Sequence, residues 1–418
     1  MNRFTYTIVW YCLLPIVFLY LLKRIIKDPQ YKRGFWQRLG FIPKQYKPCI
    51  HIHCASLGEV NAAAGLIQQL IETYPDSSIL VTNSTPAGAT RIDALFGTQV
   101  LQLMAPIDLS IFVNRFSRKL NSKCSIFTEV EIWPNWLASL TKQQTKLMLV
   151  NARLSDKSYR NYAKWGSVFK HAFLRFDWIT AQTQNDLENY QKFGVNRVSA
   201  VGNLKFDIQL PQTLSQQTLD LMQSHQLNRP IWIAASVHPS EYQIIVQAHL
   251  ALLKQIPDAL LLIAPRHKER FDEVAEYLNS ENVNYQRRSR QQAVTQSDHV
   301  WLIDSMGELI NFYAIADIAF VGGSLVAKGG HNPLEPAALS KPILMGPDRV
   351  NCEDICRMLV QAGAMFDVDS AVSIETRLMD LFKSENHYHQ AALAANKVVM
   401  QNQGAVHSSM NHIRNILG

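Results

Sequence analysis

The chain has 418 residues, of which 47% are hydrophobic and 18% are charged, and this composition excludes a disordered protein. Its formal net charge is +7, which favours acidic partners such as nucleic acid, anionic lipid or a phosphorylated substrate. The length predicts two domains of roughly 150–200 residues each.

An uncharged apolar run occupies residues 5–22, close to the shortest helix that crosses a bilayer, roughly 17 residues. Lys23 and Arg24 begin a basic stretch after it, which predicts that the rest of the chain lies on the cytoplasmic side. We therefore predict a membrane anchor over residues 1–22. Two alternatives remain: a buried amphipathic helix, which the short length and Pro15 favour, and a monotopic helix in the headgroup zone.

Short apolar runs alternate with helix-period segments along the rest of the chain. Continuous apolar strands that alternate with helices indicate parallel sheets covered on both faces. Two such series, joined near residues 209–214, predict an α/β protein with two Rossmann-like domains that face each other across a cleft. The predicted boundaries are 23–208 for the first domain, 215–385 for the second and 386–418 for C-terminal helices.

The strands are predicted from the positions of the apolar runs. In the first domain they cover 49–54, 78–83, 99–104, 125–130, 146–151, 177–182 and 197–202, and in the second 230–236, 259–265, 299–304, 317–323 and 341–346. Because ligands of such sheets bind at the carboxyl ends of strands, the loops there are expected to carry the chemistry.

Four charged residues in the first domain follow predicted strands. Glu59 opens a helix, where it can accept a proton from an attacking hydroxyl or simply complete a capping box with Ser56. Glu129 and Glu131 alternate at the end of another strand. They are either paired carboxylates near a site or acids that stabilise the start of a helix before a proline. Lys205 follows the last strand and either meets a donor phosphate or remains a solvated surface lysine.

The second domain offers a basic residue and a glycine-rich loop. Arg266 follows an apolar strand, where its guanidinium can clamp a phosphate. Ser305 and Glu308 fit a second capping box. In the stretch 321–338, glycine pairs precede an expected cap at Asn332, a proline and an acid, which is the pattern of an anion site at a helix N-terminus.

A metal site is the weaker interpretation of the alternating His51 and His53, because core histidines with hydrogen-bond partners are commoner. The pair Asp367 and Asp369 lies late in the chain without a phosphate loop beside it. We therefore expect a reaction without metal or other cofactor, in which lysine, arginine and a helix dipole stabilise a leaving phosphate.

Together these motifs resemble the Kdo (3-deoxy-D-manno-octulosonic acid) transferases of lipopolysaccharide and lipid A core biosynthesis. The similarity runs nearly end to end and preserves the order of the motifs. The matching segments are SLGE at 56–59, TEVEIWPN at 128–135, NARLSDKSY at 151–159, GNLKFD at 202–207, APRHKERF at 264–271, DSMGEL at 304–309 and FVGGSLVAKGGHNPLEP at 320–336.

The resemblance implies a GT-B glycosyltransferase on the cytoplasmic side of the cell inner membrane. It implies inverting, metal-independent transfer of Kdo from CMP-Kdo to the tetraacyl lipid A precursor, with membrane lipids as partners and no nucleic acid. It further implies that Glu59 is the general base and that Glu129 and Lys205 stabilise the transition state. The implied CMP pocket consists of Pro265, Arg266, Met306, Gly307, Glu308, Asn332, Pro333, Leu334 and Glu335.

Two segments depart from the family pattern. In AASVHPSEY at 234–242, Val237 and Ser240 replace the usual threonine and glycine, and VTNSTPAGATR at 81–91 also differs in detail. These departures concern local contacts with the donor or the acceptor. A transferase or epimerase that uses a UDP-sugar, and a non-catalytic lipid-binding protein at the membrane, are the rival interpretations.

Overall fold

The computed structural model, which describes residues 1–43, 46–211, 213–225 and 227–418, divides into two compact units. The first unit comprises Met1–Asp207 and Asn402–Gly418, and the second comprises Ile208–Gln401. The expected linker near 209–214 contains Gln212, which lies outside the described residues.

The first unit is built on a parallel sheet of seven strands. Its strands are β1 Cys49–His53, β2 Ser78–Asn83, β3 Leu101–Met104, β4 Ser122–Thr128, β5 Lys146–Ala152, β6 Trp178–Ala181 and β7 Val198–Ala200. The order β3-β2-β1-β4-β5-β6-β7 begins as in a Rossmann fold. In β5, residues 147–150 are all buried, which explains why this part of the strand appears in the sequence as a continuous apolar run.

Helices cover both faces of this sheet, with a separate apolar core under each face. The last helix of the chain returns to this unit, where the Asp207 carboxylate accepts hydrogen bonds from the Gly404 and Val406 amides at 2.6 and 2.5 Å. The helices are α1 Arg3–Lys27, α2 Phe35–Arg38, α3 Leu57–Thr73, α4 Pro86–Phe96, α5 Ser110–Leu120, α6 Pro134–Lys142, α7 Asp156–Lys164, α8 Ser167–Phe173, α9 Gln184–Lys192 and the C-terminal α18 Ala405–Leu417.

The second unit also contains a parallel sheet of seven strands, in the order β10-β11-β9-β8-β12-β13-β14. Its strands are β8 Ile231–Val237, β9 Leu260–Pro265, β10 Tyr285–Arg287, β11 Val300–Leu302, β12 Ile318–Val321, β13 Ile343–Met345 and β14 Met365–Asp367. Its helices are α10 Leu214–Ser224, α11 Glu241–Leu253, α12 Phe271–Ser280, α13 Leu309–Ile315, α14 Leu334–Ala338, α15 Glu353–Gln361, α16 Ala371–Lys383 and α17 Glu385–Asn402.

The two parallel sheets confirm the predicted α/β class with two Rossmann-like domains. Every strand expected from an apolar run is present, and β10 and β14 at the sheet edges were not expected. At the N-terminus, α1 is, within the described part of the chain, the one helix long and apolar enough to cross a membrane. None of its residues is buried, so the interpretation of this segment as a buried amphipathic helix is wrong.

Candidate active site

Each sheet has a point where the strand order reverses, between β1 and β4 in the first unit and between β8 and β12 in the second. In open α/β sheets, ligands bind beside the carboxyl ends of the strands at such a switch point. In both units, a glutamate from the helix that follows the first strand forms hydrogen bonds across this point. These two residues are Glu59 and Glu241.

Glu59 lies at the start of α3, beside the carboxyl end of β4. Its Oε2 accepts hydrogen bonds from the Ala55 amide at 2.9 Å and from the Thr128 hydroxyl at 2.7 Å, and its Oε1 accepts one from the Ser56 hydroxyl at 2.9 Å. A carboxylate offers about four lone-pair sites, so Oε1 retains the capacity to accept one more hydrogen bond. The expected capping role is present, and it leaves room for a base role at the same side chain.

Glu129 follows β4 directly, with a left-handed backbone at φ 53° that is uncommon for a residue other than glycine. Burial raises the pKa of its carboxyl above the ordinary value, against the opposing positive charge of Lys205, and the negative charge of Glu59 adds to the rise. Arg153 and Glu131 also act on this carboxyl. The three residues expected to be catalytic therefore share one electrostatic environment.

Lys205 lies in a single turn, Leu204–Phe206, that follows β7. Two asparagines hold this turn: the Asn203 side chain accepts a hydrogen bond from the Lys205 amide, and Asn151 accepts one from the Leu204 amide, both at 3.0 Å. Among the residues that the structure describes, none forms a hydrogen bond or ion pair with the Lys205 ammonium group. Its hydrogen-bond donors are thus available to a ligand, while its charge also acts on Glu129. The role of Asn151 was not expected from the sequence.

The histidines of β1 serve the core of the first unit. His51 is fully buried, and its ring nitrogens lie 3.0 Å from the Ser125 hydroxyl and 2.9 Å from the Thr82 hydroxyl. His53 contacts Thr82 in the same way and lies 3.3 Å from Glu131. These contacts are those of core histidines with hydrogen-bond partners. Burial acts to raise the pKa of Glu131, but hydrogen bonding by His53 keeps that pKa below its ordinary value.

Glu241 organises the switch point of the second unit. It is fully buried, and its carboxylate accepts four backbone amide hydrogen bonds at 2.8–3.0 Å, from His238 on its own loop and from Gly323, Ser324 and Leu325 after β12. Gly323 has φ 72°, which favours glycine. Glu241 was not expected from the sequence, although an acid at the start of the helix after the first strand is the same signal that identified Glu59.

Replacing Glu241 with alanine is expected to lower the free energy of unfolding by about 3 kcal/mol or more, because buried amide donors without partners cost roughly 1–3 kcal/mol each. Urea denaturation measures this change, with the exposed Glu276→Ala in α12 as the matched control. Glu241→Gln keeps one acceptor oxygen and should lose less. A Glu241→Ala protein as stable as the Glu276→Ala control would contradict the assigned role.

Arg266 follows β9, and its amide donates a hydrogen bond to Val237 of the neighbouring strand at 2.9 Å. Its guanidinium makes no hydrogen bond or ion pair within the described ranges. His238 and His331 lie beside it, with their Nε2 atoms 2.9 Å apart and their rings stacked at 5.2 Å. Burial lowers the pKa of His331 to about 4, and the charge of Arg266 contributes to this shift. A cation with unused donors beside neutral imidazoles suits an anionic ligand.

The remaining expected pocket residues lie in two further loops at carboxyl ends of strands. Pro265 ends β9, and Met306 and Gly307 follow β11, with Met306 largely exposed. The expected capping box at Ser305 is wrong, since α13 begins only at Leu309. The Ser305 hydroxyl instead donates a hydrogen bond to Glu308 at 2.5 Å, and an ion pair with Arg288 lowers the pKa of Glu308.

The glycine-rich loop leads into the short helix α14. The Asn332 side chain accepts a hydrogen bond from the Leu334 amide at 3.2 Å, but the helix begins at Leu334 with Pro333 as its cap residue, so the expected N-cap at Asn332 with the proline at the first helical position is wrong. Gly330 has φ 69°, and a Cβ there would lie 2.9 Å from Met345. Glu335 lies in the first turn and is electrostatically coupled to the buried Tyr313. The glycine-rich loop, which follows β12, therefore packs closely against β13.

Comparison with known proteins places this site in context. A family model described as 3-deoxy-D-manno-octulosonic-acid transferase (kdotransferase) matches residues 33–208. A 3-deoxy-D-manno-octulosonic acid transferase of Haemophilus influenzae is 37% identical over 97% of this chain and 96% of that protein. The transferase of the same name from Bordetella pertussis is 30% identical, with 100% of both chains covered.

Solved structures show the fold. A UDP-GlcNAc 2-epimerase from Neisseria meningitidis, bound to UDP-GlcNAc, matches with a TM-score of 0.57 at 15% identity, covering 88% of this chain and 100% of that chain. A glycosyltransferase from Rickettsia africae matches with a TM-score of 0.53 at 14% identity, covering 89% and 99%. At such identities the likeness concerns the GT-B-like fold alone.

Proposed function

Because this chain belongs to the 3-deoxy-D-manno-octulosonic acid (Kdo) transferase family of glycosyltransferases, we propose that it transfers Kdo from CMP-Kdo to the tetraacyl lipid A precursor, lipid IVA. This reaction would be an early step of lipopolysaccharide core assembly. The observation that carries the proposal within the molecule is that Glu59 and Glu129 lie at the carboxyl end of β4 and that the charge of Lys205 acts on Glu129.

The proposed base is the Glu59 carboxylate. Its Oε1 takes the proton of the acceptor hydroxyl while the oxygen forms a bond to the anomeric carbon of Kdo. The bond from that carbon to the CMP phosphate breaks at the same time, and CMP leaves with the bonding electrons. Attack from the face opposite the leaving group inverts the anomeric configuration. General base catalysis of this kind contributes typically 10²–10⁴-fold to the rate.

Charge develops on both sides of the breaking bond, positive on the sugar ring and negative on the phosphate. We assign stabilisation of the sugar to the carboxylate of Glu129 and stabilisation of the phosphate to Lys205 and Arg266, whose cationic groups form no hydrogen bond or ion pair with the described residues. Because the chain itself supplies these cations, we propose transfer without a metal ion or other cofactor.

Each unit is proposed to bind one substrate, with the acceptor on the 23–208 domain and CMP on the 215–385 domain. The CMP site would lie at the carboxyl edge of the second sheet. Arg266 and Glu308 follow β9 and β11, and the Asn332–Glu335 segment follows β12. Backbone amides at the start of α14 and the Arg266 fork suit the phosphate.

The lipid acceptor and the apolar α1 support a location at the cytoplasmic side of the cell inner membrane, with membrane lipids as partners. Basic residues dominate the stretch after the apolar run, including Lys23, Arg24 and Lys27. Anionic headgroups attract such a segment. The N-terminal anchor, proposed over residues 1–22, would keep both units at the surface where lipid IVA is found.

The decisive test is mass spectrometry of the lipids formed by the purified full-length protein with CMP-Kdo and lipid IVA. We expect lipid IVA to gain the mass of one or more Kdo residues, and CMP to be released in equal number. A UDP-sugar is the matched control donor and should give no product. Product from the UDP-sugar alone, or unchanged lipid IVA with CMP-Kdo, would contradict the proposal.

A further inference from the structure

The first half of α1 is attached to the first unit near its N-terminal end. The Met1 carbonyl accepts a hydrogen bond from the Val168 amide at 3.1 Å, beside the start of α8. The Tyr6 hydroxyl donates to the buried Asp108 carboxylate at 2.9 Å, and the Thr7 hydroxyl lies 3.0 Å from the Asn135 side chain. These contacts fix the N-terminal end of α1 to the globular body.

A second attachment lies further along the same helix. The Phe18 ring packs edge-on against Phe35 of α2, with ring centroids 5.7 Å apart. The α2 segment is itself held to the sheet, since Gln37 accepts a hydrogen bond from the Met104 amide at 2.7 Å and Arg38 donates one to the Ser84 carbonyl at 2.9 Å. About 22 Å of helix, from Arg3 to Phe18, therefore runs along the first unit.

The exposure of α1 repeats with the helical period. Residues that are half-buried recur every three or four positions, while Phe4, Leu19 and Ile26 are 74%, 65% and 75% exposed. At about 3.6 residues per turn, Cys12, Leu19 and Ile26 lie on the face opposite the half-buried stripe. One face of an apolar helix is thus covered by protein and the other is uncovered. The half-buried residues are Tyr6, Thr7, Trp10, Leu14, Val17, Leu21 and Ile25.

These attachments are incompatible with a helix that crosses the bilayer. The 25 residues of α1 are long enough, since they extend about 37 Å against a hydrocarbon core of about 30 Å. A crossing helix attached at Met1, Tyr6 and Phe18 would, however, draw polar side chains and loop backbone of the first unit into hydrocarbon. Irregular backbone exposed to lipid does not occur there, because its polar groups would lose their hydrogen bonds.

We propose that α1 lies in the plane of the membrane interface, attached to the first unit along one face, with its opposite face in contact with the acyl chains of an anionic bilayer. Charge complementarity identifies this partner. Arg3 lines a pocket with Arg175 and His171 at one end of α1, and Lys23 and Arg24 follow at the other, so both ends carry cations suited to headgroups of one leaflet.

Exposed aromatic residues extend the same surface. Trp36 and Phe41 are 65% and 48% exposed, and the Arg115 guanidinium lies 3.8 Å from the centroid of the Phe41 ring. Aromatic rings beside cations are typical of the membrane interface. The inference rests on the membrane association proposed above and adds that the N-terminus lies on the same side of the membrane as the catalytic units.

The depth of α1 in the bilayer tests this arrangement. Bimane is attached to Cys12, which is exposed while the other five cysteines are buried, and to Phe4→Cys and Ile26→Cys in a Cys12→Ser background. The full-length protein is bound to vesicles of phosphatidylethanolamine and phosphatidylglycerol. Lipids brominated near the headgroup should quench the fluorescence of all three bimane probes equally. Lipids brominated deep in the acyl chains should not quench any one of the probes more than the others. Selective deep quenching of Cys12, with shallow quenching at both ends, would overturn the proposal.

Labelling from the two sides of a membrane gives an independent readout. Two variants are made in the Cys12→Ser background: Asn2→Cys, and the control Lys254→Cys on the second unit. Each is treated with a maleimide that cannot cross the membrane. Both should react in inverted membrane vesicles and remain unlabelled in intact spheroplasts. Labelling of Asn2→Cys alone in spheroplasts, or loss of the protein from floated vesicles, would overturn the interfacial helix. Kdo transfer assayed in detergent reports separately on the proposed reaction.

Discussion

Replacing Glu59 with glutamine is expected to reduce kcat for Kdo transfer by roughly 10²–10⁴-fold and to leave the affinity for CMP-Kdo nearly unchanged. Glutamine has the size of glutamate and keeps one acceptor oxygen, but its amide cannot take up a proton from the acceptor hydroxyl. The side chain belongs to the first unit, whereas the donor site is proposed on the second. Turnover assays and calorimetry with CMP-Kdo measure the two quantities.

Asp186 provides the matched control for this substitution, because it is a second buried capping acid in the same unit. Its carboxylate accepts three hydrogen bonds, from the Leu154 amide and from the amide and hydroxyl of Thr183. Loss of a cap costs about 0.5–2 kcal/mol of stability, so Asp186→Asn should lower stability and retain kcat. If Glu59→Gln loses no more activity than Asp186→Asn, or if it loses donor binding, Glu59 is a capping residue and not the base.

Replacing Arg266 with glutamine is expected to raise the Kd for CMP by about 10–100-fold without changing the melting temperature. A hydrogen bond to a charged group contributes roughly 1.5–3 kcal/mol, and the Arg266 guanidinium has no partner among the described residues whose loss would destabilise the fold. Arg266→Lys should recover only part of the affinity, because an ammonium lacks the planar fork that binds phosphate through two bonds.

The control for Arg266 lies one helical turn further along the chain. Arg270 is exposed and pairs with Glu273 at 2.5 Å, so Arg270→Gln removes the same charge from the same segment without touching the proposed CMP site. Calorimetric titration with CMP should give the unmodified affinity for this variant. Equal losses for Arg266→Gln and Arg270→Gln would indicate a general electrostatic effect and would contradict the assigned phosphate contact.

Local sequence patterns were sufficient for most of the fold. Strands such as Leu260–Pro265 are buried on both faces, and such strands appear as continuous apolar runs that can be recognised without knowing their neighbours. The edge strands Tyr285–Arg287 and Met365–Asp367 were missed because they are short and contain polar residues, so neither forms an apolar run.

Whether a site residue could be identified also depended on how far along the chain its partners lie. Glu59 was identified because its cap is formed by residues that are neighbours in the chain. Glu241 was missed because three of its four partners, Gly323, Ser324 and Leu325, lie 82–84 positions away. The expected cap at Ser305 was wrong because the helix begins only at Leu309, and the carboxylate of Glu308 also forms an ion pair with Arg288, 20 positions earlier.

Composition, periodicity and motif order thus established the α/β class, the apolar N-terminal segment, the family resemblance and the acids and bases worth testing, since each depends on residues close together in the chain. The folded chain was needed to show which lone pairs of Glu59 are occupied, how Glu241 joins two loops, and that α1 rests along the first unit. Each of these depends on side chains that only folding brings into contact.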